Sequence, residues 1–314
     1  MNQLIWRLHR NQVYFAAAAL GALAVLLVVT GAVMAHDYHR FLDTCAATQS
    51  CNEGQDQLFD GDGAIFDIVN LTMAVPLLFG LFWGAPLVAK EIEDGTHNLA
   101  WTQAVTRRRW LSTNVAWVLL AAAVWGAAIA TLVSWWRAPE NALGSRFDSF
   151  DVQGFVPVAY SLFAVALGIA VGSLFRRVLP AIATTLAAFV VVRVVVGVYL
   201  RPHLIAPLTT SGATASGGAP AGSWVLSSGL VGPHGEALGR GIAVSQIPAA
   251  CRTAGVGEKG LILPCLVAHG FRQVVTYQPP GRFWAFQGLE GGLFLLLAAG
   301  LIGVAFWRVL SRDA

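Results

Sequence analysis

The sequence predicts an all-α polytopic membrane protein of about six transmembrane helices, with an extracytoplasmic segment between the fifth and sixth. Three observations predict it. Of 314 residues, 56% are hydrophobic and only 12% charged, roughly half the charged share of a soluble domain. The 20 basic and 17 acidic side chains nearly cancel and bunch between long apolar runs, so net charge points to no nucleic-acid partner. Six of those runs reach the ~20 apolar residues needed to cross ~30 Å of hydrocarbon.

The runs are residues 13–35, 68–89, 114–136, 155–175, 178–200 and 285–307. The first follows Arg7 and Arg10 as a signal peptide would. It exceeds the usual 7–15-residue apolar core, however, and Met34-Ala35-His36 is a poor cleavage site, so it reads as a retained helix. The second carries Pro76 and Pro86 and the fifth carries Arg193, so kinks or covering neighbours are expected in both.

Basic residues set the orientation. With the N-terminus cytoplasmic, the inside segments hold Arg7, Arg10, Lys90, Arg107, Arg108, Arg109, Arg176, Arg177, Arg308 and Arg312. The two short outside loops hold Arg40, Arg137 and Arg146. Ten against three places both termini on the cytoplasmic side of the cell membrane, the long loop being exempt from the count. Cys45, Cys51, Cys251 and Cys265 then all fall on the oxidising side. Cys45–Cys51 and Cys251–Cys265 are the simplest of three possible pairings. No C-x2-C spacing points to zinc, and no metal is expected. In the acidic first outside loop, Asp60-Gly-Asp-Gly lacks the remaining ligands and the closing Glu of a calcium loop.

Residues 201–284 form the long outside segment. Its stretch 209–223 is rich in Gly, Ser, Thr, Ala and Pro and reads as connection. The later part alternates apolar residues and is expected to be a small ordered cap.

The cytoplasmic loop 90–113 runs through Lys90-Glu-Ile-Glu-Asp-Gly-Thr96, then Trp101-Thr-Gln-Ala-Val-Thr-Arg-Arg-Arg-Trp110. Gly95 permits a reversal and Thr106 can cap the helix that becomes the third span. Arg107 to Arg109 sit at headgroup level, against the anionic inner leaflet. Spacing alone favours an ordinary hairpin anchored by arginines slightly over a short rigid element that docks on an ATPase.

That loop closely resembles the one between the second and third helices of actinobacterial ABC-2 type permeases. Tyr277-Gln-Pro-Pro-Gly-Arg-Phe-Trp-Ala-Phe-Gln287, before the last helix, resembles the same family, as does the order of spans. The resemblance implies a membrane-spanning permease subunit of an ATP-driven ABC exporter, acting on a hydrophobic or amphipathic compound such as a drug, lipid or peptide. It implies a coupling loop of Glu91, Glu93, Gly95, Thr96, Trp101, Thr102 and Gln103, and an interfacial helix over residues 1–12. The partners it implies are an ABC ATPase subunit and a second permease copy, a homodimer or a paired permease, within membrane lipid.

The sequence contains no G-x-x-x-x-G-K-[ST] phosphate loop and has only two lysines, Lys90 and Lys259. The chain is therefore not read as an enzyme: it carries no cofactor of its own, and ATP and Mg2+ belong to the partner ATPase. Neither H-E-x-x-H nor G-x-S-x-G occurs, and no catalytic residue is assigned.

Charges inside lipid are costly unless paired. Arg193, Glu290 and Asp67 fall at similar depth, and Arg193 is expected to pair with Glu290 or Asp67 as an outer gate or as a static helix clamp. Asn70, Thr72, Phe79, Phe82, Thr184 and Thr185 are expected to line the translocation path. A membrane-anchored sensor or assembly factor, binding a ligand or partner through its outside segment, is the alternative. A proton-coupled transporter is opposed by helix cores that lack relay carboxylates.

Overall fold

The computed structural model describes residues 2–48, 63–93, 107–175, 177–212, 217–235, 247–252 and 262–311. Among the described residues, six helices are long and apolar enough to cross a membrane: Ala17–Ala46, Gly63–Glu91, Leu111–Trp136, Val156–Leu174, Val178–His203 and Pro280–Ser311. They are called spans one to six below. Contacts divide the chain into two compact units. One comprises Met1–Glu140, Ser149–Gly197 and Gln287–Ala314, and the other Asn141–Asp148 and Val198–Phe286.

The first span belongs to a single helix, Asn2–Thr48. The separate interfacial helix expected over residues 1–12 is instead the start of this one. No Gly or Pro occurs before Gly21, so nothing in the sequence interrupts the hydrogen-bond ladder.

The second span is broken twice. Gly63–Leu71 passes through a 3-10 turn, Thr72–Ala74, into Val75–Phe79, then through a π turn, Gly80–Gly84, into Ala85–Glu93. Each irregular turn lies just before a proline, Pro76 or Pro86. A proline ring crowds the carbonyl four residues back and supplies no N–H, so the ladder must tighten or widen there.

The fourth span, Val156–Leu174, is the hub of the helical unit. Its apolar window is 89% buried, whereas the other five range from 17% to 28%. Small residues make this possible. Gly80 and Gly84 on the second span face Gly168 and Gly172 on the fourth, a small-xxx-small spacing on both helices. A Cβ at Gly80 would lie 2.6 Å from the Ala164 carbonyl oxygen, and one at Gly168 would lie 2.6 Å from the Ala85 nitrogen. Around this crossing Phe79, Val88, Leu111, Val115, Val165, Ile169, Ala305 and Val309 form one apolar core. A second core joins Leu27, Met34, Val69, Val133, Trp136 and Val152.

The other unit holds a three-stranded antiparallel sheet in the order β1-β3-β2. The strands are β1 (Leu208–Gly212), β2 (Trp224–Val231) and β3 (Arg272–Gln278). In register, Val275 of β3 pairs with Thr210 of β1 and Ser228 of β2, and a bulge between Val225 and Ser227 resets β2. Two short helices, Ala249–Arg252 and Ile262–Ala268, precede β3. They are joined by a Cys251–Cys265 disulfide with Cα atoms 5.7 Å apart. The stretch 209–223, expected to be connection alone, supplies most of β1: Thr209, Thr210 and Ser211 pair with Thr276, Val275 and Val274.

Candidate functional site

In the helical unit, one arginine is held among two carboxylates and two aromatic rings. Arg193 reaches this place by helical spacing. Ala181, Thr185 and Phe189 are the buried positions of the α-helix Val178–Val194 in the fifth span, and Arg193 extends that i, i+4 stripe by one turn. Its side chain is only 14% exposed. Glu290 occupies an apolar stripe of the sixth span between buried Phe286 and Phe294, and is itself 0% exposed.

Arg193 Nη1 lies 3.6 Å from Glu290 Oε1, and Nη2 lies 3.2 Å from Asp151 Oδ1. The Tyr160 hydroxyl, on the fourth span, lies 3.1 Å from Asp151 Oδ1 and hydrogen-bonds Glu290 Oε1. The guanidinium stands 3.6 Å over the Tyr160 ring, and Phe294 packs edge-on against the same ring at 4.7 Å. Cation–π attraction and ion pairing therefore act on one guanidinium. Fully buried Glu290 meets the requirement that a buried charge be paired and hydrogen-bonded. Chemically, the arrangement is a clamp joining the fourth, fifth and sixth spans, and it can open only by separating charges in a low-dielectric setting.

A second buried arginine ties other spans. Arg137, 3% exposed, donates to Glu140 Oε2 at 2.8 Å and to Asn70 Oδ1 at 2.7 Å, and lies 5.0 Å from the centre of the Phe66 ring. Next to it, the Trp136 indole N–H donates to Thr30 Oγ1 at 3.0 Å.

Two further carboxylate or amide groups act as helix caps. Gln287 Oε1 accepts from the backbone N–H groups of Phe155 and Val156, both at 2.9 Å. Its Nε2 donates to the carbonyls of Phe150 and Gln153. The sixth span thus supplies a cap for the fourth, whose own N-cap residue, Phe155, has none to offer. Likewise, Glu93 Oε2 accepts from the Val178 N–H at 2.8 Å, at the positive end of the fifth span. In the sheet-bearing unit, Gln278 donates to the Ile205 carbonyl, and Arg282 to the Ala206 carbonyl and Gln278 Oε1.

The structure separates the expected site residues. Arg193 and Glu290 come together, but Asp67 stands exposed on the second span, and Asp151 takes the place expected for it. Similar depth does not fix direction around the helix, and Asp67 lies off the buried side that carries Val69. Of the path residues, Phe82 is 60% exposed and Thr184 is exposed. Phe79 and Thr185 are buried instead, Phe79 stacking on Trp83 at 4.8 Å and Thr185 bonding the Ala181 carbonyl. Asn70 holds Arg137, and Thr72 bonds the Val69 carbonyl. These six therefore do not share one surface. Two of them, Phe79 and Thr185, pack inward because the helical repeat turns neighbours such as 184 and 185 by about 100°.

Glu91 and Glu93 end the second span, while Gly95, Thr96, Trp101, Thr102 and Gln103 lie outside the described residues. Cys45 is buried near the end of the first helix, and its expected partner Cys51 lies outside the described residues too, as does Asp60-Gly-Asp-Gly. Sequence reasoning missed Asp151, Tyr160 and the capping role of Gln287. The available signal was Gln287 itself, a polar residue among apolar ones at the start of a span.

Comparison with known proteins gives one match. The family described as ABC-2 membrane transporter related matches residues 17–201, which contain the first four spans and the fifth as far as Arg201. No curated protein and no solved structure matches the chain.

Proposed function

We propose, because the chain belongs to the ABC-2 membrane transporter related family, that it is the permease subunit of an ATP-driven exporter of a hydrophobic or amphipathic compound. The observation that carries this reading is the family match across the first five spans. A membrane subunit of this family works with an ABC ATPase, which binds ATP and Mg2+. A second permease copy completes the path, and both termini face the ATPase side.

Three features support the reading. Glu91 and Glu93 stand where the second span meets the loop 90–113, and Glu93 also caps the fifth span. Movement of a docked loop is thereby passed to two spans at once. The second and fifth spans present exposed apolar side chains, Phe82, Val190, Val191 and Val194 among them, as a wall for an apolar substrate or for the second copy. The clamp at Arg193 closes the outer end of the path, because parting Arg193 from Glu290 exposes two charges at large cost.

The test is co-purification of the tagged chain in mild detergent with an ABC ATPase from the cells that express it, followed by ATP turnover. A stable complex whose turnover falls about tenfold with Glu91→Ala is expected, about 1.4 kcal/mol of coupling. Failure of any ATPase to co-purify would overturn the exporter reading. A complex with unchanged turnover would remove Glu91 from the coupling loop.

A further inference from the structure

The disulfide of the sheet-bearing unit has a third member. Cys265 and His269 lie one helical turn apart at the end of the helix Ile262–Ala268, and Cys251 comes from the helix Ala249–Arg252. His269 Nδ1 lies 3.6 Å from Cys251 Sγ and 3.9 Å from Cys265 Sγ. Among the described residues this is a group of His, Cys, Asp or Glu whose ligand atoms all fall within 4.8 Å of one another. Cys251 is fully buried against Leu266 and Phe271, whereas His269 is exposed, so the group has a rigid base and an open mouth.

We infer that Cys251, Cys265 and His269 form a redox-gated site for a thiophilic divalent cation, Zn2+ being the fitting ion: closed as the disulfide, competent once it is reduced. The argument is geometric. A tetrahedral Zn2+ has bonds of ~2.3 Å to sulfur and ~2.0 Å to nitrogen. Its sulfur and nitrogen ligands then stand about 3.5 Å apart and its two sulfurs about 3.8 Å apart. Both nitrogen–sulfur edges are already near that length. Only the sulfur–sulfur edge must open, by side-chain rotation across Cα atoms 5.7 Å apart.

Two thiolates and one imidazole are a donor set suited to zinc, with the fourth position left to water. The absence of C-x2-C had argued against zinc. The fold supplies the site through Cys265-x3-His269 and a distant Cys251, a pattern that spacing rules do not search.

The chemistry balances. An external dithiol or phosphine supplies two electrons and leaves as its own disulfide, or as a phosphine oxide bearing oxygen from water. The sulfur–sulfur bond breaks and each Sγ takes one proton. Zn2+ binding then displaces both protons from the thiols. The imidazole must release Nδ1 from the Cys265 carbonyl, 2.8 Å away, and the exposed ring is free to turn.

The experiment uses the full chain in detergent, oxidised or reduced with a phosphine that is then removed, and titrated with Zn2+ against a chromophoric chelator. Co2+ serves as the spectroscopic probe for thiolate ligation. One additional Zn2+ per chain is expected in the reduced protein, with a thiolate-to-Co2+ charge-transfer band. His269→Ala should weaken that Zn2+ by tenfold or more, on the order of what loss of even an outer-shell partner costs. This variant still forms the disulfide, so a thiol count before reduction confirms that its fold is intact. Equal Zn2+ binding by oxidised and reduced chains would overturn the inference. So would a His269→Ala chain that binds as tightly as the parent.

Discussion

The fourth and fifth spans are near equals by hydropathy, 1.9 against 2.3, yet 89% of the fourth's apolar window is buried and 22% of the fifth's. The difference lies in side-chain size. The fourth carries Gly168 and Gly172 with Ala159, Ala164, Ala166 and Ala170, and helices press on it closely enough that backbone meets backbone. The fifth is built of valines, many of them exposed, such as Val190, Val191 and Val194. In lipid, apolarity does not drive helices together; close approach and polar contacts do. Hydropathy thus finds both helices but cannot tell hub from perimeter. Arg193 is an exception on this perimeter helix, drawn inward by Tyr160, Asp151 and Glu290.

Removing that exception should have the largest effect. Arg193→Ala leaves Glu290 buried without its cation, a change that costs about 3–5 kcal/mol for a buried pair. The unfolding temperature of the detergent-solubilised chain should fall clearly, and transport with it. Pairing Arg193→Met with Glu290→Gln removes both charges and should recover most of the stability. Recovered stability without recovered transport would mark the clamp as a gate. Recovery of both would leave it a static tie between spans.

Gly168→Ala tests the hub. Its Cβ would lie 2.6 Å from the Ala85 nitrogen and press on the Gly80 carbonyl, so the second and fourth spans must part. Overpacking of this kind costs about 1–3 kcal/mol, read as a lower unfolding temperature. An unchanged temperature would mean that the crossing at Gly80 and Gly168 is looser than it looks, and the contrast between the two spans would lose its basis.

Much of this was legible in advance. Long apolar runs at 68–89, 114–136, 155–175 and 178–200 lie within a residue or two of the helices or inside them, because lipid thickness sets helix length. The pairing of Cys251 with Cys265 was legible because both sit in one segment only fourteen residues apart. Direction was not legible. Asp67 and Asp151 lie at comparable distance from a span end, and nothing in a single sequence says which one faces Arg193. The caps at Gln287 and Glu93 were equally hidden, since each satisfies a helix start far away in the chain. The sheet escaped because β1 is made of Leu208-Thr-Thr-Ser-Gly212, residues that also suit a flexible connection.

The perimeter yields the smallest effect and the sharpest use of the contrast. Val191 is 60% exposed on the fifth span, so Val191→Leu adds a methylene to an uncrowded surface. Within one chain it should change stability by no more than ~0.5 kcal/mol, as surface substitutions do. The proposed second permease copy changes what that surface means. If the valine face of the fifth span meets lipid alone, Val191→Trp leaves the mass of the solubilised particle as it was. If a second copy covers the face, the same substitution opens a packed interface, and light scattering should show the dimer giving way to single chains at unchanged monomer stability. A hub helix buried within its own chain cannot behave so, because there the cost of crowding falls on the fold itself.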